Sequence, residues 1–308
     1  MQDAVRIWET PETSDNYMIA GFEQWADAGE ISSGLPRYLI TLTGAQRIGK
    51  ITPDGFYFFQ VPGTHHLLRP QVKMVDGHRE HMSTHENNLH YATVGNKGLL
   101  IFTGEEPHQN EERYAEAFLD LVEAAKVKRV ILFGGVYGAV PFDRDRDVSC
   151  VYSLPRMKKE LDQYALRFSN YEGGTTIGSY LAHQAEFRGI ELVVLNGFAP
   201  AYEFGQMGLT VQAMRVEEDW KAWLDILRRV TYMLDLELDL SDLERRSASL
   251  IDVWQRKIAE LEQKHPELGI KDYLEAIARD FEEHSFIPLD SAWDVLGDIL
   301  EDEDLNEL

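Results

Sequence analysis

A single cysteine, Cys150, in 308 residues rules out an internal disulfide and any site built from several thiolates, and it fits a reducing compartment. No run of eighteen apolar residues occurs, and the first stretch, MQDAVRIWETPETSDN, has neither a basic region nor an apolar segment. Neither a membrane span nor a secretory signal is expected, so the chain reads as soluble and cytoplasmic. Positive charge is scarce as well. Thirty Lys and Arg stand against 53 Asp and Glu, a formal net charge of -23, which repels nucleic acid and anionic membranes. The imbalance is concentrated in residues 216–308, where 26 acids face 10 bases, and its plain reading is a solvated helical surface that keeps the protein soluble.

An apolar fraction of 44% is ordinary for a globular chain, and the length suffices for one large domain or for one domain with a smaller companion. Tyr17–Phe22, Leu99–Thr103, Val130–Phe133 and Leu192–Leu195 are short and nearly all apolar, the pattern of strands buried on both faces. Amphipathic helices are expected between them. Asn110 is placed to cap one, with Glu111 and Glu112 in its first turn and Tyr114, Phe118, Leu121, Val122 and Ala125 on one face. Pro155 is placed to open another, with Met157, Leu161, Tyr164 and Phe168 at helical spacing. This alternation predicts an α/β fold, a mixed sheet flanked by helices on both faces.

Residues 46–94 interrupt the alternation with hairpin signals. PDG joins Arg47–Thr52 to Phe56–Gln60, and Asp76-Gly77 joins Val72–Val75 to His78–Met82. Such an insertion, projecting from a core over residues 1–210, is suited to meet another subunit. Residues 211–308 read as an acidic, all-helical region, with a capping-box sequence at Ser241–Glu244 and an apolar face of Leu243, Leu250, Trp254, Ile258 and Leu261. Leu274, Ile277, Ala278 and Phe281 continue the pattern, and the last residues, LEDEDLNEL, are too polar to predict order.

Three Gly-bearing segments carry the candidate chemistry. Gly173-Gly174-Thr175-Thr176 opens GGTTIGS, which fits the glycine frame of a phosphate loop but has no lysine to reach the outer phosphates. Two readings stay open: an anion or carboxylate received by free N–H groups at the start of a helix, or tight packing alone. Gly21, Phe22, Glu23, Trp25 and Asp27 lie at the end of the first strand, where ligands gather in sheet-and-helix proteins, and Gly104, Glu105 and Glu106 follow another strand. Facing carboxylates can share a proton, hold a cation or orient a polar ligand, which makes Glu23, Asp27 and Glu105 the catalytic candidates. Asp27 and Glu106 fit equally well as caps of the helices that follow them.

His65, His66, His78, His81, His85 and His90 cluster in the sequence, but the Asp-Gly turn argues for strands and for surface hairpin histidines, not for a metal site. No nucleophile elbow and no H-E-x-x-H pair occurs, and Ser179 sits inside a helical pattern. Cys150, alternating in DVSCVYS, reads as a buried and inert strand residue. No cofactor or metal is expected.

In order, YMIAGFEQWADAG, IFTGEEP, VILFGGVYGAVPFDR, YEGGTTIG and NGFAPAYE span residues 15 to 205, and together they resemble the proteasome assembly chaperone family, in its bacterial branch of unestablished function. The resemblance implies a phosphorylase/hydrolase-like core and homo-oligomers, a trimer being the form expected of bacterial relatives with a hairpin insertion. It also implies a protein partner and a C-terminal helical part that serves as a lid over the pocket. At that pocket it fits a non-catalytic protein binding a peptide end or a small polar ligand, with a hydrolase- or phosphorylase-like enzyme as the alternative. Some relatives dock through a tail with a penultimate tyrosine. This sequence ends Leu305-Asn-Glu-Leu308 and does not imply that mode.

Overall fold

Four long runs of apolar residues set the middle of the sheet. The computed structural model describes residues 4–23, 25–60, 69–203 and 214–286. In it β2 (Asn16–Glu23), β7 (Lys97–Glu105), β8 (Val127–Gly138) and β11 (Glu191–Tyr202) lie side by side and parallel, in the order β7-β2-β8-β11. Alternate residues leave opposite faces, and both faces are covered, so every position must be apolar. Ile19, Ile101, Ile131 and Val193 meet α1 (Gly34–Thr43) and α5 (Trp220–Leu234). Met18, Leu100, Val130 and Val194 meet α2 (Glu111–Ala124) and α4 (Ile177–Arg188). The expected α/β fold, a mixed sheet flanked by helices on both faces, is therefore present.

The sheet becomes antiparallel toward both edges. β6 (Asn88–Val94), β3 (Gln46–Ile51) and β1 (Val5–Ile7) extend it beyond β7, and β9 (Val148–Tyr152) runs antiparallel to β11, with β10 (Arg167–Phe168) outside it and β12 (Met214–Arg215) pairing with the far end of β11. β3 and β6 are thus sheet strands, and the insertion expected over 46–94 narrows to the hairpin of β4 (Val72–Val75) and β5 (His78–Met82). Asp76 and Gly77 turn it with φ of 48° and 80°, the left-handed pair that a two-residue turn requires. The aromatic run Phe56–Gln60 forms no strand; Phe56 is buried instead, edge-on to Tyr114 with ring centroids 5.0 Å apart.

Several expected helix starts shift for local reasons. Asn110 does precede α2, but its backbone is left-handed and its amide donates to the Gly55 carbonyl at 2.6 Å, so it ties down a loop and does not cap. After Pro155 come two short turns around α3 (Lys158–Leu161), and Phe168 belongs to β10. At α6 (Ser241–Lys264) the Asp239 carboxylate accepts the Ser241 N–H at 3.0 Å, in place of the capping box expected from Ser241. α6 and α7 (Ile270–Asp280) build a separate small core around Tyr202, Trp254, Ile258 and Ile270. No helix among the described residues is long and apolar enough to cross a membrane.

α5 belongs to the sheet's own core, through Ala222, Trp223, Ile226, Leu227 and Val230, so a boundary at residue 210 does not separate two cores. Its start is fixed by buried charge. Arg146 and Asp219, 1% and 0% exposed, pair at 2.9 Å, and Asp219 also caps α5 by accepting the Ala222 N–H at 3.0 Å. The rest of the Arg146 guanidinium donates to the carbonyls of Pro141, Phe142 and Arg144. Asp219→Ala leaves that guanidinium buried without its counter-charge, and urea unfolding is expected to show a loss of about 3–5 kcal/mol. Replacing both partners by apolar residues is not expected to restore stability, because three carbonyls then lose their donor.

Candidate functional site

The four parallel strands end on one side of the molecule, where ligands collect in sheets of this kind. A cleft there holds about 320 Å³ of empty space including its open mouth. It is lined by Phe22, Glu23 and Trp25 from the end of β2, Glu106 from the end of β7, Gly134 from β8, Asn196 from β11, and Thr176 and Ile177 from the start of α4. No residue of the C-terminal helices lines it, so the expected lid does not close this cleft among the described residues.

Each of the predicted acids has its own partner. The Glu106 carboxylate reaches across to α4 and accepts the Ile177 N–H at 2.7 Å, while the Thr176 hydroxyl accepts the Ser179 N–H at 3.2 Å. Two of the N–H groups read as an anion site, those of Ile177 and Ser179, are therefore met by the chain itself. Burial pushes the Glu106 carboxyl above its ordinary range and outweighs the pull of the Ile177 N–H. Asp27 accepts the N–H groups of Ser32 at 2.9 Å and Ser33 at 2.8 Å, at the entry to α1, and burial likewise raises its pKa. Glu23 pairs with Arg37, and Glu105 with His85 at 2.6 Å.

The remaining predicted residues divide into wall and surroundings. Gly21 lies where a Cβ would collide with the Ser32 carbonyl, so the loop that leads into α1 can press against β2 only there. Phe22 packs on Phe102 with ring centroids 5.7 Å apart, and Gly104 sits beneath the Asn87 side chain. Trp25 is 74% exposed at the mouth. Gly173, Gly174 and Thr175 are exposed and do not line the cleft, and neither glycine has a left-handed φ. The glycine that brings α4 against the sheet is Gly178, where a Cβ would stand 3.3 Å from the Val194 side chain.

Several wall residues escaped the sequence reading, Ser32, Gly134 and Asn196 among them. Ser32 accepts the Phe22 N–H at 2.8 Å and donates to the Phe133 carbonyl at 2.7 Å, which pins β2, β8 and the α1 entry together. Gly134 and Asn196 are paired within β8 and β11, the Asn196 amide occupying the space a Cβ at Gly134 would need. The double glycine of LFGG and the Asn-Gly of VLNG were the available signals, each just after an expected apolar strand run that the structure extends.

The histidines separate too. His78 and His81 are exposed on the hairpin, as expected, but His85, just after it, is half-buried, stacked on Tyr57 with ring centroids 4.4 Å apart beside His108. His90 is half-buried, and burial pushes its pKa down. His65, His66 and the acidic tail lie outside the described residues. Among the described residues no group of three or more His, Cys, Asp or Glu is placed to hold a metal ion. Cys150 is buried, its thiol pushed up to about 12, and a thiol held protonated is unreactive.

The comparisons with known proteins agree with this architecture. Residues 21–261 match the model of the PAC2 family. Among solved structures, a PAC2 family protein from Streptomyces avermitilis is 24% identical, with a TM-score of 0.66 over 84% of this chain and 99% of that one. The proteasome-assembly chaperone homologue of Mycobacterium tuberculosis is also 24% identical, at a TM-score of 0.66 over 79% and 94%. PbaB of Pyrococcus furiosus, an archaeal proteasome activator, is 18% identical, at 0.57 over 82% and 97%. Likenesses at this identity establish a shared fold and nothing finer. No curated protein matches the sequence. With the family model spanning most of the chain, from the end of β2 through α5 and most of α6, the chain belongs to the PAC2 family.

Proposed function

We propose that this chain is a non-catalytic, oligomeric binding protein that acts on a protein partner, in the manner of the relatives described as proteasome-assembly chaperone homologues. The strand-end cleft receives a peptide end or a small polar group. The observation that carries this reading is the separation of the acids. Acid-base or metal-assisted hydrolysis needs two or three groups converging on one reacting atom. Glu23, Asp27 and Glu105 are engaged with Arg37, with the Ser32 and Ser33 amides, and with His85, three different places in the fold. A hydrolase- or phosphorylase-like enzyme would have to break these pairings before it could act.

Self-association is supported by the hairpin. Val72, Met74, Val75 and Met82 are all exposed on two strands that, among the described residues, pair only with each other, and a lone two-stranded hairpin is marginal in water. A neighbouring copy that covers it supplies the missing burial, and a trimer is the form we favour. Light scattering should then give a mass of three chains, and Met74→Glu should lower it; a parent protein that runs as one chain would overturn the oligomer. Gentle affinity purification of the full chain should retain a defined complex, with proteasome subunits sought first by mass spectrometry. Turnover of a phosphoester or ester lost in Glu105→Gln would overturn the non-catalytic reading.

The role of Asp27 as a cap has its own test. Because burial raises its pKa, its contribution to stability is complete below the ordinary value of 3.8 and is lost as pH rises through the folded value. Asn at this position keeps an acceptor and carries no buried charge. Asp27→Asn is therefore expected to be at least as stable as the parent at neutral pH, with its advantage shrinking on acidification. Asp27→Ala, with both serine amides unpaired, should be less stable than Asp27→Asn by about 1–2 kcal/mol in urea unfolding.

A further inference from the structure

The polarity of the cleft narrows what it can accept. We propose that it takes a primary ammonium group, the amino terminus of a peptide, and not a carboxylate or a phosphate; this rests on the proposed function's placement of the binding site. A helix start is ordinarily a place for anions, because its N–H groups point outward. At α4 that place is filled from within, by the Glu106 carboxylate on the Ile177 N–H and the Thr176 hydroxyl on the Ser179 N–H. An incoming anion would find the Ile177 and Ser179 donors taken and a carboxylate in its way.

The wall carries the same polarity. Two of its residues, Glu23 and Glu106, are acids, and none is Lys, Arg or His. Arg37 shares the charge of Glu23 from outside the cleft, whereas among the described residues no basic side chain pairs with Glu106. Glu106 uses one oxygen on Ile177, and its second oxygen is left for a donor from the ligand. The Asn196 amide, held over Gly134, makes no hydrogen bond to the described residues. Its carbonyl adds a second acceptor.

The mouth agrees with the wall. It opens beside the Trp25 ring, whose face attracts a cation and whose apolar surface suits the first side chain of a peptide. Burial already raises the Glu106 pKa, so an ammonium brought beside it also offsets the cost of that buried charge.

The test uses the full chain and calorimetric titration with three tetrapeptides of one sequence, beginning with an apolar residue. One has a free amino terminus and an amidated carboxyl end, one is acetylated with a free carboxylate, and one is blocked at both ends. The free-amine peptide should bind at least about tenfold more tightly than either other form. Glu106→Gln retains an acceptor for the Ile177 N–H, so it should keep the parent's unfolding midpoint while losing that preference. Tighter binding of the free-carboxylate peptide, or of inorganic phosphate, would overturn the ammonium assignment and leave the cleft standing as a binding site. An unchanged amine preference in Glu106→Gln would also overturn it. If none of the three peptides bound at millimolar concentration, the cleft itself would fail as a peptide site, and the proposed function with it.

Discussion

The buried pair of Arg146 and Asp219 holds the cleft's outer wall in place. Two charges removed from water are tolerated only when every donor and acceptor is met, and here they are. Asp219 accepts from Arg146 and from the α5 backbone, and Arg146 gives its remaining protons to three carbonyls of the segment that follows β8. Asp219 also donates its own N–H to the Gly29 carbonyl at 2.9 Å, and Trp223, one turn later, donates its indole N–H to the same carbonyl at 3.0 Å. The loop after β2, which carries Trp25 and Asp27, is thereby attached to α5. Gly29 makes this approach feasible, since it has a φ of 65° and a Cβ there would stand 2.8 Å from the Asp219 side chain.

Other buried charges extend the same joint. Lys221 bridges Asp145 and Asp225, and Arg229 donates to the carbonyls of Tyr164, Ala165, Asp225 and His284. Burial pushes Asp225 above the usual carboxylate range even beside Lys221. Such a network adds little net stability over apolar packing, but it admits few alternative arrangements, because any shift of α5 would strand a charge. A rigid α5 in turn fixes the loop after β2. The cleft is thus shaped by polar contacts on the opposite face of the sheet from α4.

The central strands could be read from sequence because burial on both faces leaves an unbroken apolar run, and the Asp-Gly hairpin because its turn chemistry is local. The site was legible only by segment. Glu106 follows a strand and looks like a cap for α2, yet it serves α4, whose first residue lies 71 positions later. No local pattern encodes that pairing. The same limit hid α5: its period predicts a helix, but Lys221, Asp225 and Arg229 are buried, and a polar residue on an inward face reads as surface until its partners are known. His85 was placed on the exposed hairpin by its neighbours in sequence, while Glu105 and Tyr57 hold it half-buried beside the main sheet's β7. The Gly-rich loop misled for a related reason, because Gly173 and Gly174 suggested a close approach that Gly178 provides.

The acidity of the chain bears on the cleft less than its size suggests. Most of the excess negative charge lies beyond residue 216, and none of those residues lines the cleft. A field from such exposed charges is screened over about 8 Å at physiological salt. It steers approaching cations, and it contributes little to what is held once inside. Discrimination between an ammonium and a carboxylate must therefore come from groups in the wall, where partial burial lowers the effective dielectric. Among the described residues Glu106 is a half-buried carboxylate of that wall with no basic partner. Its backbone bond to α4 fixes its orientation, so the group that closes the helix's anion site is also the group that sets the sign of the cleft.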